Sequence, residues 1–215
     1  PKEYKWQLFF TNSGAESIEG AMKLARYVIK KPGFIAFQGG FHGRTFGAMS
    51  LGSAFPKLRE GFEPLLPGVE IFPYNDPQYL RDNIRTDKAA VFVEPVQGVG
   101  GCRVASKEFM KAIRDYCFNT STLMVVDEVQ SGIGRTGKFW AFEHSGVVPD
   151  IICSAKALGG GFPLGAVISK RCYMSLSPGS HGSTFAGHPV ACMAGGVVLR
   201  KMTESFLKRV SRNGL

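Results

Sequence analysis

No uninterrupted apolar stretch in the 215 residues approaches the roughly 20 that a helix needs to cross a bilayer. No signal-peptide pattern is visible at the start. Cysteine is sparse: Cys102, Cys117, Cys153, Cys172 and Cys192 lie far apart and form no CxxC pair. That spacing argues against a zinc site or a disulfide framework and suits a reducing compartment. Acidic residues are in deficit, 17 against 26 Lys and Arg, for a formal charge of +9. Such a balance fits nucleic acid or another anionic ligand. The basic residues are scattered, however, and "IKK" (29–31) and "KRV" (208–210) belong to no aromatic RNA-binding pattern. A basic enzyme surface is the plainer reading, and neither nucleic acid nor membrane is expected as a partner.

What is present is an ordinary globular composition, 44% apolar and 20% charged, long enough for one domain with a proper core. The opening "PKEYKWQLFF" has no initiating Met and turns β-like at once, so a piece of a longer protein is expected. Short apolar runs recur at 8–11, 34–37, 69–72, 90–94, 123–127, 151–153 and 165–169, with the length and β-branched or aromatic content of buried strands. Helix-period segments lie between several of them. In "SGAESIEGAMKLARYVIKK", Ile18, Met22, Ala25, Val28 and Ile29 share a face, and Ser13 with Glu16 reads as a capping box. Phe109, Ile113, Tyr116 and Cys117 share a face in "SKEFMKAIRDYC", and a further helix is expected from Pro189 to Met202 with Ala, Gly and Val inward. Alternating strands and helices predict an α/β domain, a mostly parallel sheet with helices on both faces.

Sheets of this kind bind ligands beyond the carboxyl ends of their strands. "TNSGAE", "FHGR", "EPVQG", "DEVQSG" and "SAKALGG" each follow an apolar run and so share one edge. "TNSGAE" is a helix start whose N–H groups suit a phosphate, although capped helices opening on Gly are common. "LMVVDEVQSG" ends a strand in carboxylates, which cap or solvate a loop in most proteins but pair well with a protonated ring nitrogen when buried. "GIGRTG" (132–137) matches the dinucleotide fingerprint only in form; no convincing helix or acidic strand end follows, so it reads as a turn. Lys156, set between an apolar run and three glycines, is either a lysine reaching water or an amine whose pKa burial lowers toward reactivity. An aromatic platform (Phe41), a ring-nitrogen carboxylate (Asp127), a phosphate-accepting helix start and a Schiff-base amine are together the requirements of pyridoxal phosphate.

Five blocks, "FFTNSGAESIEGAMKLARY", "GGFHGRTFGAMSL", "VFVEPVQGVGG", "VVDEVQSGIGRTGKFWAFEHSGVVPDIICSAKALGGGFPLGAV" and "HGSTFAGHPVACMAG", resemble in order the signature blocks of class III aminotransferases. The resemblance covers nearly the whole chain. It implies a fold-type I large domain over 1–215, with an N-terminal segment and a C-terminal small domain absent, and an active site shared across a homodimer. It implies Lys156 as Schiff-base lysine, Asp127 at the pyridinium nitrogen, Gln130 at the ring hydroxyl and Phe41 on the ring face. Gly14 and Ala15, with Ser13 beside them, would hold the phosphate, Thr184 would reach the phosphate of the neighbouring subunit, and Arg44 and Glu94 would lie toward the substrate. The glycines after Lys156 would give it room to swing.

The implied reaction is a ping-pong transfer from an ω-amino donor, 4-aminobutyrate-like, to 2-oxoglutarate. N-acetylornithine is the alternative donor, favoured by "AKALGGGFPLGA", and a family member with a different reaction, an aminomutase or decarboxylase, is a further alternative; a catalytically dead basic binding module is more remote. Two departures stand out. Val99 occupies the place of a second glutamate in the "EPxQxE" of ornithine and 4-aminobutyrate enzymes, and His188 the place of an Asn, with a modest change of packing or hydrogen bonding expected. A cytoplasmic location is expected, with the mitochondrial matrix the other compartment that suits the charge.

Overall fold

Strands buried on both faces need helices above and below, and the computed structural model has that arrangement. It describes residues 5–214; residues 1–4 and 215 of the domain expected over 1–215 lie outside the described residues. In chain order the elements are β1 (Trp6–Thr11), α1 (Gly14–Ile29), β2 (Gly33–Phe37), α2 (Phe46–Leu51), β3 (Val69–Phe72), α3 (Pro77–Asp82), β4 (Lys88–Val93), β5 (Val96–Gln97), β6 (Arg103–Val104), α4 (Lys107–Thr120), β7 (Leu123–Asp127), β8 (Ile151–Ser154), β9 (Gly165–Lys170), α5 (Pro189–Lys201) and α6 (Glu204–Asn213). The main sheet runs β1-β9-β8-β7-β4-β2-β3. Its pairs are parallel except those of β9, which is antiparallel to both β1 and β8. β5 and β6 form a separate ribbon.

Side chains alternate across the strands into two cores. Phe34, Phe92, Val125, Ile151 and Cys153 meet Ile18, Met22 and Ala25 of α1 on one face. Ile35, Val91, Met124, Val126 and Ile152 meet Phe109, Ile113, Tyr116 and Cys117 of α4 on the other. α1 and α4 thus bury the faces that their periodicity predicts.

Three expectations change. The "LFFT" strand is not buried: β1 pairs only with β9 at the sheet edge, so Leu8 and Phe10 remain 47% and 37% exposed. α5 buries Ala191 and Gly195 and packs Val198 against the cluster of Leu158 and Leu164, but Val190 and Val197 point outward. The capping box at α1 is half made. Ser13 Oγ accepts the Glu16 N–H at 3.2 Å, whereas the Glu16 carboxylate reaches past Ser13 to the backbone and side-chain N–H groups of Asn12, each at 2.9 Å. "GIGRTG" forms a turn, as its context predicts.

Register fixes the site. Val93 is opposite Val126 and Asp127 opposite Cys153, so the ends of β4, β7 and β8 stand side by side at one edge.

The two sides of α4 give a direct check on this packing. Ile113→Ala is expected to cost about 2–5 kcal/mol in chemical denaturation, the usual range for a fully buried aliphatic side chain. Phe118→Ala, at a position 80% exposed, stays within about 0.5 kcal/mol.

Candidate active site

At the carboxyl edge of the sheet, Gly14, Ala15, Phe41, His42, Gly43, Glu94, Asp127, Val129, Gln130 and Lys156 line one pocket of about 150 Å³. Five loops distant in sequence meet there, and small residues let them. A Cβ on Gly14 would stand 2.7 Å from Val129 Cγ1, and one on Gly43 2.8 Å from Ala15 Cβ. A Cβ on Gly98 would collide with the Gln130 side chain. Gly43, at φ +137°, holds backbone that a side chain rarely adopts. Ser13 Oγ takes only the Glu16 N–H of the first turn of α1. The Gly14 and Ala15 N–H groups are left at the pocket wall, a helix start suited to an anion.

The chemistry centres on three buried groups. Asp127, 5% exposed, accepts the Val129 N–H through Oδ1 at 3.0 Å, and its Oδ2 lies 2.7 Å from His42 Nδ1. Glu94 Oε2 accepts the Phe41 N–H at 2.9 Å and so ties the aromatic wall to the end of β4. Burial would lower the His42 pKa, but the Asp127 hydrogen bond and the charges of Glu94 and Asp127 raise it overall. Burial pushes the Glu94 carboxyl up to about 7, against the opposing pull of His42, with the Asp127 charge adding to the rise. His42 is a site residue that sequence reasoning missed. Its signal was a histidine between an aromatic residue and a glycine just past a strand, which is legible only once Asp127 is its partner.

Lys156 lines the same pocket but is exposed, with Ser154 and Ala155 buried behind it. Burial of this side chain, one of the two readings of the apolar run, is not what the fold provides. Its backbone sits at φ +45°, uncommon for a residue with a side chain and the kind of strain found at functional positions. Among the following glycines, Gly160 is left-handed at φ +59°, and a Cβ there would press on Val198 of α5 at 2.8 Å.

Other expected site residues lie apart from this pocket. Ser13 caps α1 and does not line it. Arg44 is exposed in an adjoining cleft that shares Phe41 and Gly43. Thr184 is exposed outside the pocket, next to Ser183, whose Oγ accepts the Asn12 Nδ2–H at 2.7 Å. Val99 is half-buried in the turn between β5 and β6 and does not reach the pocket. His188 is the N-cap of α5 and makes no side-chain cap bond, a bond that Asn forms readily.

The arrangement offers an amine, a held carboxylate, an aromatic wall and an anion cradle around one cavity, the equipment of a cofactor-dependent transferase. The family model for class III aminotransferases matches residues 1–214, and the chain belongs to that family. It is 52% identical over 195 residues to acetylornithine aminotransferase of Methanopyrus kandleri, covering 90% of this chain and 50% of that one. Acetylornithine aminotransferase of Caldanaerobacter subterraneus subsp. tengcongensis is 46% identical over 215 residues, 97% of this chain and 54% of the relative. Among solved structures, an ornithine aminotransferase from Toxoplasma gondii, with partial occupancy of PLP at its active site, superposes with a TM-score of 0.87 at 34% identity. That match covers 97% of this chain and 51% of the other. The chain spans about half the length of the curated relatives it matches.

The raised Glu94 pKa has a sign that can be checked without ligand. The folded state keeps the proton to higher pH than the unfolded chain, so its contribution is fully present below the ordinary value near 4.5 and is lost as pH rises through about 7. Thermal stability is therefore expected to fall as pH rises from about 4.5 through about 7, and Glu94→Gln to remove part of that fall. Glu128 and His42, also raised, leave a residual slope of the same sign.

Proposed function

We propose that this chain forms the cofactor-binding domain of a pyridoxal-phosphate-dependent aminotransferase acting on an acetylornithine-type donor, with an oxo acid such as 2-oxoglutarate as acceptor. The observation that carries the reading is the convergence of Lys156, the His42–Asp127 pair, Phe41 and the α1 start on one pocket. These residues fit the cofactor. A buried carboxylate with one oxygen held by His42 is a partner for a protonated ring nitrogen, and the Gly14 and Ala15 N–H groups receive a phosphate.

When bound, pyridoxal phosphate supplies the electron sink that lets a proton leave the carbon bearing the amine. Lys156 Nζ would anchor it and carry that proton. Asp127, kept in place by His42 and the Val129 N–H, would pair with the protonated ring nitrogen. Phe41, whose N–H donates to Glu94, would lie against the ring, and Gln130, seated on Gly98, would be the residue for the ring hydroxyl. Exposed Arg44 in the adjoining cleft would meet a donor carboxylate, while Glu94 lines the main pocket.

The donor follows the relatives. Those at 52% and 46% identity are named acetylornithine aminotransferase, which favours N-acetylornithine over the 4-aminobutyrate reading. A homodimer with a shared site is part of the same proposal. Exposed Phe185, Val190 and Met193 beside Thr184 support it, as an apolar patch of the sort that a second copy covers.

Adding pyridoxal phosphate, reducing with borohydride and mapping peptides is expected to give one pyridoxyl adduct, on Lys156. Lys156→Ala should lack it. With N-acetylornithine carrying labelled amino nitrogen, label should appear in glutamate at a rate at least about tenfold above that with 4-aminobutyrate, a difference of about 1.4 kcal/mol in the barrier. No adduct sinks the cofactor; an adduct with faster transfer from 4-aminobutyrate sinks the donor.

A further inference from the structure

Glu128 follows Asp127 directly, is 1% exposed, and does not line the pocket. Its Oε2 accepts the Ser131 hydroxyl at 2.6 Å and its Oε1 the Phe142 N–H at 2.9 Å. Its backbone is equally engaged: the N–H donates to Cys153 O at 2.9 Å, and the carbonyl accepts the Gly132 N–H at 3.0 Å. The turn from 128 to 132 therefore wraps around a carboxylate that is itself fastened to the short helix Ala141–His144.

The other side chains of this stretch face the site. Asp127 meets His42, Val129 fits against Gly14, and Gln130 against Gly98. β7 ends at Asp127, so no strand or helix orients Val129 and Gln130. A carboxylate in this position is expensive. Burial dominates and lifts it to about 7, with Ser131, Phe142 and Ala141 pulling the other way. An apolar residue would fill the space without that cost; what the carboxylate adds is two directional bonds, to Ser131 and to the Phe142 N–H.

We infer that Glu128 is a positioning residue, whose carboxylate clasps the 128–132 turn to the Ala141–His144 helix and thereby sets Asp127 and Gln130 against the cofactor ring. The cofactor part of this inference rests on the function proposed above; the clasp itself does not.

The test is Glu128→Gln beside the milder Ser131→Ala. Glutamine offers one acceptor oxygen in place of two and turns an NH2 toward other donors. In the cofactor-free protein, amide hydrogen exchange at Val129, Gly132 and Phe142 is expected to quicken at least about tenfold, the loss of one hydrogen bond to a charged group, while β4 and β7 keep their protection. On adding pyridoxal phosphate, the visible band of the bound cofactor should shift and affinity fall about tenfold, with Ser131→Ala moving both in the same direction by less. Unchanged exchange in a folded Glu128→Gln overturns the clasp. Faster exchange with an unaltered band and affinity overturns the positioning role. If Glu128→Gln does not fold, Ser131→Ala decides by the same two readouts. A wild-type protein that takes up no pyridoxal phosphate refutes the proposed function alone, and exchange then decides the clasp.

Discussion

The Asp127–His42 contact is the constraint around which the carboxyl edge of the sheet is organised. A carboxylate placed at the end of a buried strand loses its water and must be given partners in the interior. His42 supplies one at 2.7 Å and the Val129 N–H another at 3.0 Å. To do so, the loop after β2 crosses the mouth of β4, and that crossing brings Phe41 over the cavity and its N–H onto Glu94. One electrostatic requirement thus fixes the aromatic wall, the second carboxyl and the floor of the pocket together.

Charge in this pocket is shared rather than assigned. Glu94 and His42 both have raised pKa values, and the charges of His42, Asp127 and Lys156 all act on Glu94. A change of charge on His42 or Glu94 therefore changes the field at the other. A ligand that brings its own positive charge to Asp127 and its own negative charge to the α1 start enters a site whose polarity already runs that way.

Much of this was legible in the residues. Every apolar run chosen as a strand is one; in β2, β4, β7 and β8 continuous burial on both faces leaves the sequence no polar alternation to hide the pattern, whereas the half-exposed edge strand β1 shows itself by its apolar and aromatic content alone. The site edge was equally legible, since the loops after parallel strands must collect at one end. Lys156, Asp127, Phe41, Gln130, Gly14, Ala15 and Glu94 meet where the order of runs puts them. What escaped were pairings made across long separations. His42 and Asp127 are 85 positions apart, and the partner of Glu128 is the backbone of Phe142, which carries no side-chain signal. Exposure was also beyond reach: the apolar run before Lys156 buries Ala155 but says nothing of how the left-handed residue after it turns.

Among the described residues β1 has β9 as its only partner in the sheet, with Thr11 opposite Gly165. During synthesis, therefore, the strand is complete long before anything exists to pair with it. At the usual pace of a ribosome the intervening chain takes on the order of 10 s to appear. Throughout that interval an apolar strand with two open edges, Leu8 and Phe10 included, is available to the wrong neighbour, and the turn of α1 that follows it lacks the sheet on which to settle. The anion cradle, encoded near the beginning, thus rests on neighbours encoded far later: Gly14 on Val129, and Thr11 and Ser13 on Gly165.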